Sequence, residues 1–238
     1  MTPHRSRRLQ RDTDILTVDH HSEAFAAGRF LRLVNWHTTP PSGRDQLRAE
    51  LSWYLDRYEP VLPHDLDRFF DTGEWGLDRP GFIPAFYDSH RDHVTVAAPV
   101  CEELGLTAWF FPPTGVLDVP AEEQRAWAEK NDVDLVAGQP DAPWAMTWDE
   151  LATIAQRHVI GAHTASHATA DSITTEEDVR REITEPIERL RDLTGRMPAS
   201  FAFLYGTPPV PGTVAGDAVI ASGVRYATTN TSYLRIND

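Results

Sequence analysis

The chain has 238 residues, 41% of them hydrophobic, and a formal net charge of −14. This length and apolar fraction are enough for one large domain with a buried core, and the acidic balance argues against nucleic acid or an anionic membrane surface as a partner. Cys101 is the only cysteine, which excludes a disulfide framework and a thiolate zinc cluster.

The N-terminal sequence is basic, but no apolar segment of the kind found in secretory signals follows it. No later run approaches the length of apolar sequence that a membrane-spanning helix needs. We therefore expect a cytoplasmic protein with no membrane partner, in which residues 1–29 form an N-terminal extension and residues 30–238 the folded domain.

Short apolar runs alternate with stretches whose apolar residues recur at helical spacing. Strands are predicted at residues 30–36, 82–87, 106–111, 158–162, 200–205, 224–229 and 233–236. Helices are predicted at residues 43–58, 64–70, 94–105, 121–130, 147–157, 174–195 and 212–222. This alternation indicates a single α/β domain with a mostly parallel sheet, and a barrel is the expected closure of that sheet.

Three of the predicted helix features depend on single residues. Thr147 is a suitable N-cap for the helix that follows it. In the long amphipathic helix, Thr174 and Glu177 have the spacing of a capping box, and Gly195 lies just beyond the end. Pro186 should kink this helix because it lacks a backbone N–H.

Reactive side chains follow four of the predicted strands. His37 follows the first strand, Asp88 follows FIPAFY, His163 follows HVIGA with His167 one turn later, and Tyr205 ends SFAFLY. A β/α barrel builds its active site at the carboxyl ends of its strands, so we expect these residues to lie together.

The segment HTASH contains two of these residues, His163 and His167. Two imidazoles four residues apart can bind one ion if the segment makes a helical turn, and the Asp88 carboxylate would complete a set of three ligands. The alternative is a pair of surface histidines on a loop.

These motifs resemble those of the polysaccharide deacetylase family, also described as the NodB homology or carbohydrate esterase 4 group. AFYDSH resembles the family's Thr-Phe-Asp-Asp-Gly motif, HTASH its His-Ser/Thr-x-x-His motif, and FAFLYG its Phe-Ala-Tyr-Pro-Tyr-Gly segment. The similarity runs from about residue 30 to the end. It implies a distorted (β/α)7-type, TIM-like barrel over residues 30–238.

The resemblance also implies roles for individual residues. Asp88, His163 and His167 would bind one divalent metal ion, typically zinc, and the backbone N–H of Tyr205 would help to form an oxyanion hole. VNWHTTP resembles the N-terminal motif of a subgroup that includes biofilm poly-N-acetylglucosamine deacetylases, in which the general acid comes from the first strand. His37 would then be that acid; the alternative is a buried histidine hydrogen-bonded at a strand end.

Tyr87 departs from the family pattern, because it stands where the family has its catalytic-base aspartate. A phenol with a pKa near ~10 is a poor base at neutral pH. It can instead donate a hydrogen bond to a developing oxyanion or orient the attacking water. His90 or Asp92 are candidate substitute bases, and the alternative for both is a solvated helix start.

Three functions are consistent with these residues. The first is a metal-dependent hydrolase of an N-acyl (acetamido) or related amide bond, acting on a small-molecule or oligosaccharide substrate. The others are a catalytically silent carbohydrate- or metal-binding homologue, and a metal-independent amide or cyclic-imide hydrolase. Five tryptophans are candidates for lining a sugar groove, although aromatic residues are more often core: Trp36, Trp75, Trp109, Trp144 and Trp148.

Overall fold

A computed structural model describes residues 25–135, 143–229 and 233–237. Its strands are β1 Leu31–Trp36, β2 Glu59–Pro60, β3 Gly81–Tyr87, β4 Trp109–Phe111, β5 Val159–Ile160, β6 Ser200–Phe201, β7 Tyr226–Thr228 and β8 Tyr233–Arg235. Its main helices are α1 Arg44–Leu55, α2 Pro63–Thr72, α3 Ala98–Glu103, α4 Gln124–Lys130, α5 Trp148–Ile154, α6 Glu176–Val179, α7 Glu185–Thr194 and α8 Val214–Ala221. Most of the predicted N-terminal extension lies outside the described residues.

The strands form two sheets that are joined by backbone pairing. The first has the parallel order β1-β3-β4-β5, and β2 pairs in parallel with the start of β3. In the second, β6 pairs in parallel with β7 and β7 pairs antiparallel with β8. An isolated parallel bridge between Ala162 and Phe201 connects them. The predicted α/β class with a mostly parallel sheet is confirmed.

Strand β3 is buried along its whole length because both of its faces are covered. Phe82 and Phe86 pack into a large cluster shared with the surrounding helices. Ile83, Ala85 and Tyr87 belong to a second cluster, the interior cluster, with residues of β4 and β7. Burying a large apolar side chain contributes about 1.5–3 kcal/mol. This packing fixes the end of β3, where Asp88 lies.

The predicted strand at residues 200–205 is shorter in the structure, where β6 ends at Phe201. The backbone then turns at Leu204–Gly206, with Tyr205 at φ 61°. Strand β2, Glu59–Pro60, was not predicted, because two residues carry no periodic pattern. None of the described helices is long and apolar enough to span a membrane.

The predicted cap of the long helix is wrong by one residue. The side chain of Thr175 accepts a hydrogen bond from the backbone N–H of Asp178, so the capping box is Thr175 and Asp178 rather than Thr174 and Glu177. Instead of a simple kink at Pro186, one π-helical turn over Arg180–Thr184 precedes it. Such a wider turn accommodates a residue that lacks a backbone N–H. Thr147 caps α5 and Gly195 ends α7, as predicted.

Candidate metal centre and active site

All six residues that the sequence predicts for the site line one pocket of about 290 Å³. They are His37, Tyr87, Asp88, His163, His167 and Tyr205. Tyr87 is the last residue of β3, and the others come from the segments that follow β1, β3, β5 and β6, so strand order rather than chain proximity brings them together. The pocket therefore lies at the carboxyl ends of the strands.

Asp88, His163 and His167 are buried and form a compact group. Each offers one ligand atom, and the three atoms lie within 4.8 Å of one another. Nε2 of His167 lies 3.3 Å from Oδ1 of Asp88, and Nε2 of His163 lies 3.8 Å from the same oxygen. This spacing brings three potential ligand atoms around one point.

Hydrogen bonds on the far side of each imidazole fix which nitrogen faces that point. Nδ1 of His163 donates to the carbonyl oxygen of Ala202 at 2.8 Å, and Nδ1 of His167 donates to that of Asn131 at 2.8 Å. A neutral imidazole that donates through Nδ1 carries its lone pair on Nε2. Oδ1 of Asp88 is buried and has no hydrogen-bond donor among the described residues. Three acceptors converge without a donor, an arrangement that fits a cation.

The pKa values support this charge distribution. Burial raises the pKa of Asp88, but the hydrogen bond from His37 and the neighbouring histidines outweigh burial and hold the pKa at about 2. Burial and the neighbouring His167 lower the pKa of His163 to about 4. At neutral pH the group therefore contains a carboxylate and a neutral imidazole at these two positions.

The backbone is strained at and beside the residues of the metal group. Six of the described residues other than glycine have left-handed φ angles, and four of them belong to the two segments that carry the metal group: Asp88 (75°), Ser89 (60°), Thr164 (57°) and His167 (58°). Each such residue costs of order 1–3 kcal/mol and persists only where the surroundings enforce it. The packing of the domain thus holds the group in a fixed conformation.

Glu182, in the π-helical turn, holds the HTASH segment through hydrogen bonds. Its buried carboxylate accepts hydrogen bonds from the backbone N–H groups of Ala165 (3.2 Å) and Ser166 (2.8 Å), and from the hydroxyl of Ser166 (2.9 Å). Sequence reasoning missed Glu182. The available signal was its place beside Ile183, within the apolar stripe of the long helix.

We expect Glu182→Ala to weaken metal binding by about 10–100-fold, the usual cost of losing a group that orients the ligands. The same change leaves backbone N–H groups of the turn without an acceptor, which should lower the free energy of unfolding by about 1–3 kcal/mol. Glu188→Ala is the matched control, since Glu188 is exposed on the same helix. Chelator competition and urea unfolding measure the two effects. Unchanged metal affinity in folded Glu182→Ala would exclude this supporting role.

Tyr87 lies against the metal group with its ring tightly packed. It stacks on Phe111 at a centroid distance of 4.7 Å and meets the edge of His163 at 5.2 Å. Burial raises the pKa of its phenol far above the ordinary value, so Tyr87 is neutral at physiological pH. It can donate a hydrogen bond but cannot serve as a base.

His37 differs from the two buried histidines because half of its side chain is exposed. Its Nδ1 lies 2.6 Å from Oδ2 of Asp88. This hydrogen bond raises the pKa of His37. Donation through Nδ1 leaves Nε2 as the ring atom that can exchange a proton with a bound substrate.

Tyr205 also lines the pocket and is exposed. Its hydroxyl donates to Oδ2 of Asp132 at 2.5 Å. Asp132 and Asp134 also line the pocket, and sequence reasoning missed both. They follow α4 in a stretch with no apolar strand before it, so the rule that located the other residues does not reach them.

The other candidates lie elsewhere. His90 packs against Trp144 at 5.1 Å, and Asp92 accepts a hydrogen bond from Thr39 at 3.1 Å; both are buried and neither lines the pocket. None of the five tryptophans considered for a sugar groove lines it either. Trp109 and Trp144 belong to the core, as the alternative interpretation had it.

An α/β fold with an Asp-His-His group at the carboxyl ends of its strands is typical of hydrolases that use a divalent cation. The family model for polysaccharide deacetylases matches residues 78–218, more than half of the chain. The chain belongs to the polysaccharide deacetylase family. It is therefore a hydrolase that acts on carbon–nitrogen bonds other than peptide bonds.

Solved structures share the fold at low sequence identity. The deacetylase PplD of Streptococcus pyogenes, solved in complex with acetate, has 16% identity and a TM-score of 0.61, covering 87% of this chain and 84% of its own. IcaB from Ammonifex degensii has 16% identity and a TM-score of 0.61, with 84% and 83% covered. The BpsB deacetylase domain from Bordetella bronchiseptica has 15% identity and a TM-score of 0.61, with 87% and 91% covered. No curated protein sequence matches the chain.

Proposed function

We propose that this protein is a zinc-dependent deacetylase that hydrolyses the acetamido bond of a carbohydrate-derived or small N-acylated substrate. The observation that carries the proposal is the convergence of three acceptor atoms without a donor, from Asp88, His163 and His167, at the floor of an open pocket. One carboxylate and two imidazoles are a donor set that zinc favours. Membership of the polysaccharide deacetylase family supports the acetamido substrate.

The proposal includes the shape of the domain. We infer that residues 30–238 form one unit and that its strands close into a distorted (β/α)7-type barrel around the interior cluster. The continuous strand order from β1 through β5, the Ala162 bridge and β6 to β8 supports this closure. Barrel closure would place the pocket at the mouth, where loops after each strand contribute side chains.

The bound divalent ion would polarise the acyl carbonyl and acidify water. The residues of the chain then have separate tasks. His37 protonates the leaving amine, and its hydrogen bond to Asp88 favours the protonated ring that this task needs. The neutral hydroxyl of Tyr87 and the backbone N–H of Tyr205 would donate hydrogen bonds to the negative charge that develops on the acyl oxygen.

The test of this function separates the acid from the rest of the site. His37→Ala should lower turnover of an N-acetylated chito-oligosaccharide by about 10²-fold or more, because an amine leaves only when protonated. An acetyl ester with a good leaving group needs little protonation and should lose far less. Acetate release by the zinc-loaded protein measures both reactions.

Metal content should be the same in His37→Ala and in the wild type. Equal losses on the amide and the ester would assign His37 a packing role. If the zinc-loaded wild type releases no acetate from any N-acetylated substrate, the proposed function is wrong. Carbohydrate binding without turnover would then favour the silent homologue, for which the neutral Tyr87 is the supporting observation.

A further inference from the structure

The inference that follows rests on the amide hydrolysis proposed above. Hydrolysis of an amide needs a group that accepts a proton from the attacking water. Tyr87 is a buried phenol that stays protonated, so it cannot accept the proton from water. Asp88, His163 and His167 direct their acceptor atoms at one another, which commits them to the cation. The residues nearest to the metal position therefore leave this task to another group.

Two further side chains of the pocket already have other roles. His37 donates Nδ1–H to Asp88 and has the role of acid. Asp132 accepts a hydrogen bond from the hydroxyl of Tyr205 at 2.5 Å, which makes it a support for the Tyr205 turn. Among the described residues of the lining, Asp134 is the remaining ionisable side chain.

The segment that carries Asp134 is fixed to the site at two points. The carbonyl oxygen of Asn131 accepts the Nδ1–H of the metal-group residue His167, and Asp132 holds Tyr205. The Asp134 carboxylate is exposed to the pocket solvent, where a water can reach it. Asp134 and His37 both line this pocket, and the charge of Asp134 contributes to the raised pKa of His37.

We propose that Asp134 is the general base of this active site. Its carboxylate takes one proton from water as the water oxygen bonds to the acyl carbon. His37 gives its proton to the amine nitrogen as the carbon–nitrogen bond breaks. The products are the amine and the carboxylic acid, and the proton on Asp134 returns to His37 through solvent, so no other reactant is consumed.

Asp134→Asn keeps the size of the side chain and removes its basicity. It should lower kcat on the acetamide by about 10²–10⁴-fold, the usual contribution of a positioned base, with little change in KM or zinc content. Asp134→Glu should recover part of the loss. Glu129→Gln is the matched control, because it removes one exposed carboxylate on α4 outside the pocket lining and should behave as the wild type.

A binding measurement tests the same carboxylate without turnover. Acetohydroxamic acid mimics the acetyl group and carries an acidic proton that a base in the pocket can accept. Titration calorimetry in two buffers of different ionisation enthalpy counts the protons released on binding. We expect roughly no release in the zinc-loaded wild type, and roughly one proton per site in Asp134→Asn, where no carboxylate retains it.

The possible results distinguish this inference from the proposed function. A raised KM with unchanged kcat would make Asp134 a substrate-binding residue, and a parallel loss of zinc would make it a support of the metal group; either result overturns the base assignment. Equal proton release in the wild type and Asp134→Asn overturns it as well. A wild type that binds acetohydroxamic acid with the expected proton count but hydrolyses no acetamide overturns the proposed function alone.

Discussion

His163→Ala should abolish both metal binding and amide hydrolysis. The ring of His163 is buried, and its Nε2 is one of two imidazole acceptors that converge on Oδ1 of Asp88 among the residues that the structure describes. Removing it leaves two ligand atoms from the group of three. The loss of zinc affinity should exceed the ~10–100-fold that removal of a supporting residue costs.

Elemental analysis of protein purified without chelator should give roughly one metal ion per chain for the wild type and close to none for His163→Ala. His158→Ala is the control for the cost of removing a buried histidine from the same segment, because Nδ1 of His158 accepts the backbone N–H of Ala108 away from the pocket. It should retain its metal. Equal metal content in wild type and His163→Ala would refute the assignment of the metal group.

The sequence predicts this part of the site well for a simple physical reason. Parallel strands end at one edge of a sheet, so polar residues directly after an apolar run meet there whatever their distance along the chain. His37, Asp88 and His163 each satisfy that rule, and the structure places all three in one pocket. The alternation of strands and helices was sufficient to find them.

Other features depend on contacts that the local sequence does not encode. Asp134 reaches the pocket because the segment after α4 is fixed to His167 and Tyr205, and Glu182 reaches the HTASH turn because a π-helical turn aims it there. The choice of Thr175 over Thr174 as N-cap is similar, since adjacent threonines satisfy nearly the same pattern. Long-range packing decides each of these cases.

The side chain of Tyr87 contributes to the packing of the domain as well as to the chemistry of the pocket. Its ring stacks on Phe111 at an interplanar angle of 7°, so the phenol fills space in the interior cluster as well as facing the pocket. A carboxylate at this position would lie next to Asp88 and could accept a proton from water. Replacement therefore changes packing and chemistry together, and the two must be measured separately.

Tyr87→Phe isolates the hydroxyl, because it retains the ring and its stacking. If the hydroxyl donates to the acyl oxygen in the transition state, kcat should fall by about 10²–10³-fold while thermal stability and metal content stay near those of the wild type. Tyr87→Asp removes the stack on Phe111, and loss of a buried aromatic ring typically costs about 3–5 kcal/mol. Its activity must therefore be read well below its unfolding temperature.

Tyr87→Asp places a carboxylate on β3 beside the metal position but removes the phenol. In Asp134→Asn, where the base is missing, the added carboxylate should raise hydrolysis of N-acetylated chito-oligosaccharides and recover up to about 10²–10⁴-fold in kcat. Where Asp134 is present, loss of the Tyr87 hydroxyl should instead lower kcat. Acetate release by zinc-loaded single and double variants measures this.

A silent wild type with an active Tyr87→Asp variant would identify a lapsed enzyme. If Tyr87→Asp destroys an existing activity, the phenol has its own task in catalysis. Wild-type behaviour in both Tyr87→Phe and Tyr87→Asp would place position 87 outside the active site, because neither its hydroxyl nor a new carboxylate would then reach the substrate.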